Sequence, residues 1–225
     1  MERIATIIKT KFPNYAKLAN EAFDIDYGDK WNKPMYQGNE EFKRIKQMYG
    51  NLPLTRDVII FDLFKQGKYF DGFLCAMVWG NIGTYQGGWQ RFEDIFNESN
   101  KEKINRVVEL VRSGDVEKAY LSLCDKTQNG NGIKGLGEAF FTKLLYFAGM
   151  SRIAMKPKPL IFDRNIRIAY NNILSILGEK PHKGAFNRYW DYCTKMDELC
   201  FLLKLPTAGH VEALLFKQEI RDSLL

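Results

Sequence analysis

The chain has 225 residues, with 33 Lys plus Arg against 27 Asp plus Glu, a formal charge of +6 and a pI near 9.0. Hydrophobic residues make up 45% and aromatics 14%, enough for a full core, which excludes a disordered chain and suits one domain or two closely packed lobes. No apolar run approaches the roughly 20 residues of a membrane helix. The opening MERIATIIKTKFPNY has no uninterrupted apolar stretch and no small-residue cleavage site, so a cytoplasmic monomer away from membranes is expected.

In chain order, residues 24–50 are polar, aromatic and turn-rich, and read as an excursion over the surface. Residues 57–64 suit a short strand or a buried helix, with helix preferred. Residues 73–89 read as a helix broken by Gly80 and Gly83, ending in a loop of aromatics, glycines and amides. Ile104, Val107, Val108 and Val111 share one helical face, Gly114 is a stop, and Asp115 is an N-cap for a helix burying Val116, Ala119, Tyr120 and Leu123. Phe186, Tyr189, Trp190 and Cys193 repeat the pattern, as do Val211, Leu214 and Leu215 after a Thr207 cap. The fold class predicted is mainly α, with residues 1–225 as one unit.

The four cysteines, Cys75, Cys124, Cys193 and Cys200, form no CxxC pair. Even with His182 and His210 they do not make a zinc or iron–sulfur ligand set, so free buried thiols and no metal or other cofactor are expected. Charge is uneven. Residues 126–188 hold eleven basic and three acidic side chains, while the rest of the chain is slightly acidic. A basic middle on a near-neutral frame is the footprint of a polyanion binder.

Two stretches carry the chemistry. Gly132-Ile133-Lys134-Gly135-Leu136-Gly137-Glu138-Ala139 is a glycine turn leading into an apolar helix. Without β-carbons, Gly135 and Gly137 can take positive φ and bring backbone N–H groups against a phosphate. The following helix N-terminus and Lys134 favour the same anion. Further on, Pro157-Lys158-Pro159-Leu160-Ile161-Phe162 delivers Asp163 to a helix start, followed by Arg164. Asp163 reads as an N-cap whose hydrogen bonds and helix dipole keep the carboxylate ionised. Such a group can stabilise an oxocarbenium-like transition state as a glycosidic bond breaks.

In this order, "IKGLGEAFFTKLLYFAG" and "PLIFDRNIRIAYNN" resemble the helix-hairpin-helix DNA glycosylases, nearest the compact bacterial 8-oxoguanine DNA glycosylase-fold proteins. The match covers residues 132–172. The resemblance implies a two-lobed helical glycosylase fold with a cleft between the lobes, acting on double-stranded DNA that carries a modified base. It implies Asp163 as catalytic aspartate, Lys134, Gly135, Gly137 and Arg164 as DNA contacts, and no cofactor. The family's catalytic lysine belongs where this chain has Ala139. Lys143, one helical turn on and sharing its face, restores the family's spacing to the aspartate. Its helix is apolar nearly all round, and burial there would lower the lysine's pKa and make its amine nucleophilic. A base-flipping enzyme also needs a pocket. Trp79, Tyr85 and Trp89 could stack on a base there, and Asn81 and Gln86 could read its edge. The resemblance points to an oxidised purine such as 8-oxoguanine as the excised base, with a hypermodified phage base such as glucosylated hydroxymethylcytosine as the close alternative, the latter as antiviral defence. The alternatives are a non-catalytic DNA binder, for which Ala139 speaks, and a helical protein-interaction domain.

Overall fold

A computed structural model describes residues 1–81, 88–124, 132–152 and 155–225, without the side chains of residues 35 and 88–91. Tyr85 and Gln86 lie outside the described residues, as does the Trp89 side chain. The α-helices are α1 Glu2–Lys11, α2 Tyr15–Phe23, α3 Glu40–Tyr49, α4 Tyr69–Trp79, α5 Gly88–Ile95 and α6 Lys101–Ser113. They continue with α7 Val116–Cys124, α8 Glu138–Met150, α9 Arg164–Leu177, α10 Ala185–Leu203, α11 Ala208–Phe216 and α12 Gln218–Ser223. The described residues form helices and turns without strands, so the protein is mainly α as the periodicity predicts. Among them, no single helix is long and apolar enough to cross a membrane.

The chain divides into two compact units. One combines residues 1–25 with 155–225. Its centre is α11, where Val211, Ala213, Leu214 and Leu215 are buried against α2, α9 and α10. Thr207 stands at the N-cap of α11, yet its hydroxyl bonds the His210 ring (2.9 Å) rather than the helix N–H groups. Tyr170 on α9 donates to Asp191 on α10 (2.5 Å), and Lys195 on α10 pairs with Glu179 just past the end of α9 (2.8 Å).

The other unit is residues 26–154, built around α4, in which every residue from Gly72 through Trp79 is buried. Residues 58–64 are helical but wound wider, with bonds such as Lys65 N–H to the Ile60 carbonyl (2.8 Å), five residues back. The predicted faces of α6 and α7 are buried, and Gly114 ends α6 in the left-handed region at φ 100.

Residues 24–50 are not a surface excursion. Trp31, Tyr36, Phe42 and Ile45 are core residues, with Tyr36 stacked on Phe92 at 4.8 Å. Asn39 caps α3 by accepting from the Phe42 N–H (2.9 Å) and donates to the Phe96 carbonyl (3.3 Å). The aromatics pack inward because α5 supplies an apolar face far along the chain.

The cysteines are free thiols, three of them buried and Cys124 half-buried. Burial pushes the Cys193 thiol up to about 12 and Cys200 up to about 11, so neither is a ready thiolate.

Candidate active site

In the unit of residues 1–25 and 155–225, a fully buried run, Leu160-Ile161-Phe162, leads to Asp163. The run lies outside regular secondary structure, so its carbonyls need other partners. Tyr189 and Tyr192 of α10 supply them, donating to the Leu160 carbonyl (3.0 Å) and the Ile161 carbonyl (3.1 Å). Phe162 packs among Tyr170, Tyr189 and Tyr192, with the guanidinium groups of Arg167 and Arg188 at 5.5 and 6.0 Å from its ring. Asp163 follows as the N-cap of α9, half-buried, its Oδ1 accepting from the Ile166 N–H at 3.1 Å. The cap orients the carboxylate, and the positive end of the helix dipole favours negative charge there. Arg164, at the first helical position, is exposed.

The glycine turn lies in the other unit. Gly135 has φ 80, the left-handed value expected of it. Gly137 differs from expectation: it is extended (φ −80, ψ 170) and serves as N-cap of α8. A helix start needs that extended geometry, so here glycine supplies openness instead of positive φ. A Cβ built on Gly137 meets nothing within 4 Å, leaving the backbone at the start of α8 open on that side. Lys134 is exposed and pairs with Asp94 at 3.2 Å, a contact that a phosphate would have to displace. Tyr120 donates to the Glu138 carboxylate in the first turn of α8, joining α7 to α8.

Lys143 is buried on α8, 5% exposed. Its Nζ donates to the Ala139 carbonyl (2.8 Å), so the amine reaches back to the first turn of its own helix. Its stem lies against Gly80: a Cβ there would stand 2.6 and 2.7 Å from Lys143 Cε and Cδ. Trp79 is 8% exposed, with Arg56 4.8 Å from its ring and Tyr27 and Phe147 edge-on at 5.7 and 5.6 Å. Its ring is packed among these neighbours, and what it presents to the site is its carbonyl. Asn81 follows at φ 61, half-buried. The structure thus brings Lys143, Trp79 and Asn81 to one corner.

The same corner holds residues the sequence reading missed. Lys30 donates to the Trp79 carbonyl and lies 3.7 Å from the centre of the Tyr27 ring, and Lys33 donates to Asn81 Oδ1. Burial pulls the Lys30 amine down to about 8, with the charges of Lys33 and Lys143 adding to the effect and Asp29 opposing it. The available signal was lysines interleaved with aromatics in Tyr27-Gly28-Asp29-Lys30-Trp31-Asn32-Lys33. Among the described residues no group of three or more His, Cys, Asp or Glu is arranged to hold a metal ion.

No curated protein and no solved structure gives a match to the chain. Residues 20–216 match the family described as "Putative 8-oxoguanine DNA glycosylase OGG-like protein". That span takes in every helix from α3 to α11, the glycine turn, the lysine corner and the capping aspartate. The chain belongs to this OGG-like family of the DNA glycosylase type.

Proposed function

We propose that this protein extrudes a modified base from duplex DNA and cleaves its N-glycosidic bond, leaving an abasic site. The observation that carries the reading is the setting of Asp163. A fully buried run pinned by two tyrosines ends in a half-buried carboxylate that caps α9. Such a group is an anion fixed in place, and it can stabilise positive charge on the sugar as the base departs. The helix-hairpin-helix reading of residues 132–150 gives the DNA strand its anchor, through backbone N–H groups at the open start of α8 and the helix dipole. Lys143 is the family-related candidate to attack C1′, which would couple base release to strand cleavage. The family's description favours 8-oxoguanine as the base.

The test incubates the protein with duplexes that each carry one modified base, 8-oxoguanine and glucosylated hydroxymethylcytosine among them, and measures alkali-labile abasic sites. Release of 8-oxoguanine is expected, and Asp163→Asn should stop it while still shifting DNA in a gel. Release confined to the glucosylated base would move the substrate to phage DNA and the role to defence. One observation favours a second reading, a non-catalytic DNA binder: Ala139 occupies the lysine's place in the related enzymes. DNA binding with steep salt dependence and no base released from any duplex would establish it.

A further inference from the structure

We propose that Lys30 is a second amine nucleophile at the Trp79–Asn81 corner, one that takes the C1′ aldehyde of an abasic sugar as its partner. This rests on the glycosylase reading, which makes such sugars the product at hand. Lys30 belongs to a short helical turn, Gly28–Asn32, remote in sequence from the α8 lysine. Three lysines meet at this corner. Lys30 binds the Trp79 carbonyl, Lys33 binds the Asn81 side chain, and the stem of Lys143 abuts Gly80 between them. The acid acting on Lys30 is Asp29, against the two cations Lys33 and Lys143.

The two candidate amines are presented differently. Lys143 is 5% exposed, and its Nζ is engaged by the Ala139 carbonyl of its own helix. Lys30 is half-buried on a separate short helical turn, its Nζ over the Tyr27 ring and donating to the Trp79 carbonyl of another helix. Its amine, drawn down to about 8, has lost most of an ordinary lysine's hold on its proton. At pH 7.5 about a quarter of such amines are neutral, against about one in a thousand for an unperturbed lysine. The neutral Nζ adds to C1′ of the ring-opened sugar. Its two N–H protons leave with the carbonyl oxygen as water, and a C1′=N imine remains. Burial of a lysine, with like charges nearby adding to it, is a recognised way to free an amine for imine formation.

The experiment uses the full chain and a duplex with one abasic site, made by removing a uracil enzymatically, in the presence of sodium borohydride. Hydride adds to C1′ of the imine, solvent protonates the nitrogen, and the secondary amine is located by proteolysis and mass spectrometry. An adduct on Lys30 is expected, persisting in Lys143→Met. Lys30→Arg keeps a cation and a donor for the Trp79 carbonyl but forms no imine, and should cut the adduct yield at pH 7.5 about tenfold or more. Far-ultraviolet circular dichroism checks that each variant folds. An adduct on Lys143 alone, undiminished in Lys30→Arg, overturns the proposal, and so does a wild type that forms no adduct. Because the abasic site is preformed, this readout is independent of base excision. Asp163→Asn releasing base at the wild-type rate would instead strike the excision reading and leave the adduct assignment standing.

Discussion

Asp163 is a carboxylate that accepts the Ile166 N–H at a helix start, at the end of a run whose carbonyls are bound by tyrosine hydroxyls. Lys30 and Lys143 are cations among cations, placed against a glycine and a helix-end carbonyl. The first setting orients a carboxylate at a helix start, and the second, at Lys30, works against the charge, burial first and the neighbouring cations next. That is what each chemistry requires: a lasting anion to support a departing base, and an amine willing to lose its proton.

The largest expected effect breaks the first setting without disturbing its fold. Asp163→Asn keeps an oxygen to accept from the Ile166 N–H, so its melting curve should stay close to wild type. Base release should fall by on the order of 10³-fold for loss of the anion, read as abasic sites per unit time. Asp163→Ala should lose release equally and also about 1 kcal/mol of stability in denaturant unfolding, because the cap is gone.

The next effect breaks the second setting from the side. In Gly80→Ala the new Cβ meets Cε and Cδ of Lys143 at 2.6 and 2.7 Å and the Ala76 carbonyl at 3.1 Å. A flexible lysine tail can swing away, so the stability loss should be about 1 kcal/mol. The displaced amine should cost up to ~10²-fold in strand cleavage. Cleavage at the wild-type rate would show that the Lys143 position does not matter.

A third measurement sharpens the contrast through pH. The folded Lys30 titrates near 8 and its unfolded counterpart near 10.5. Below pH 8 both states hold the proton, and the folded state carries the full penalty of a buried cation with like charges beside it. Between 8 and 10.5 the unfolded chain holds the proton that the folded chain has released, and the penalty disappears. The melting temperature of Lys30→Met minus that of wild type should be flat below pH 7 and fall as pH rises from 8 to 10. A pH-independent difference would show that Lys30 is not perturbed.

The smallest effects concern the glycine turn. Gly135→Ala forces a side chain into φ 80 and should cost roughly 1–2 kcal/mol. Gly137→Ala, extended and unobstructed, should leave the melting curve unchanged and weaken DNA binding if a strand approaches there. Lys134→Gln should lower the slope of log affinity against log salt by about one.

Local signals sufficed for much of this. The buried faces of α6 and α7, the Gly114 stop and the Asp163 cap follow from residues within one or two helical turns of each other, where periodicity and capping operate. Thr207 shows the limit even at short range, since its hydroxyl had two partners within reach and bonds the His210 ring.

A mainly helical chain, a capping aspartate behind an apolar run, a glycine turn, and a lysine on an otherwise apolar helix are all legible along the chain. That residues 31–45 belong to a core follows from packing in three dimensions, because the ring stacked on Tyr36 comes from α5. The same packing brings Lys30 to the carbonyl of Trp79, 49 residues away. A lysine's charge state depends on which cations and apolar groups surround it after folding, and no local pattern along the chain encodes those neighbours.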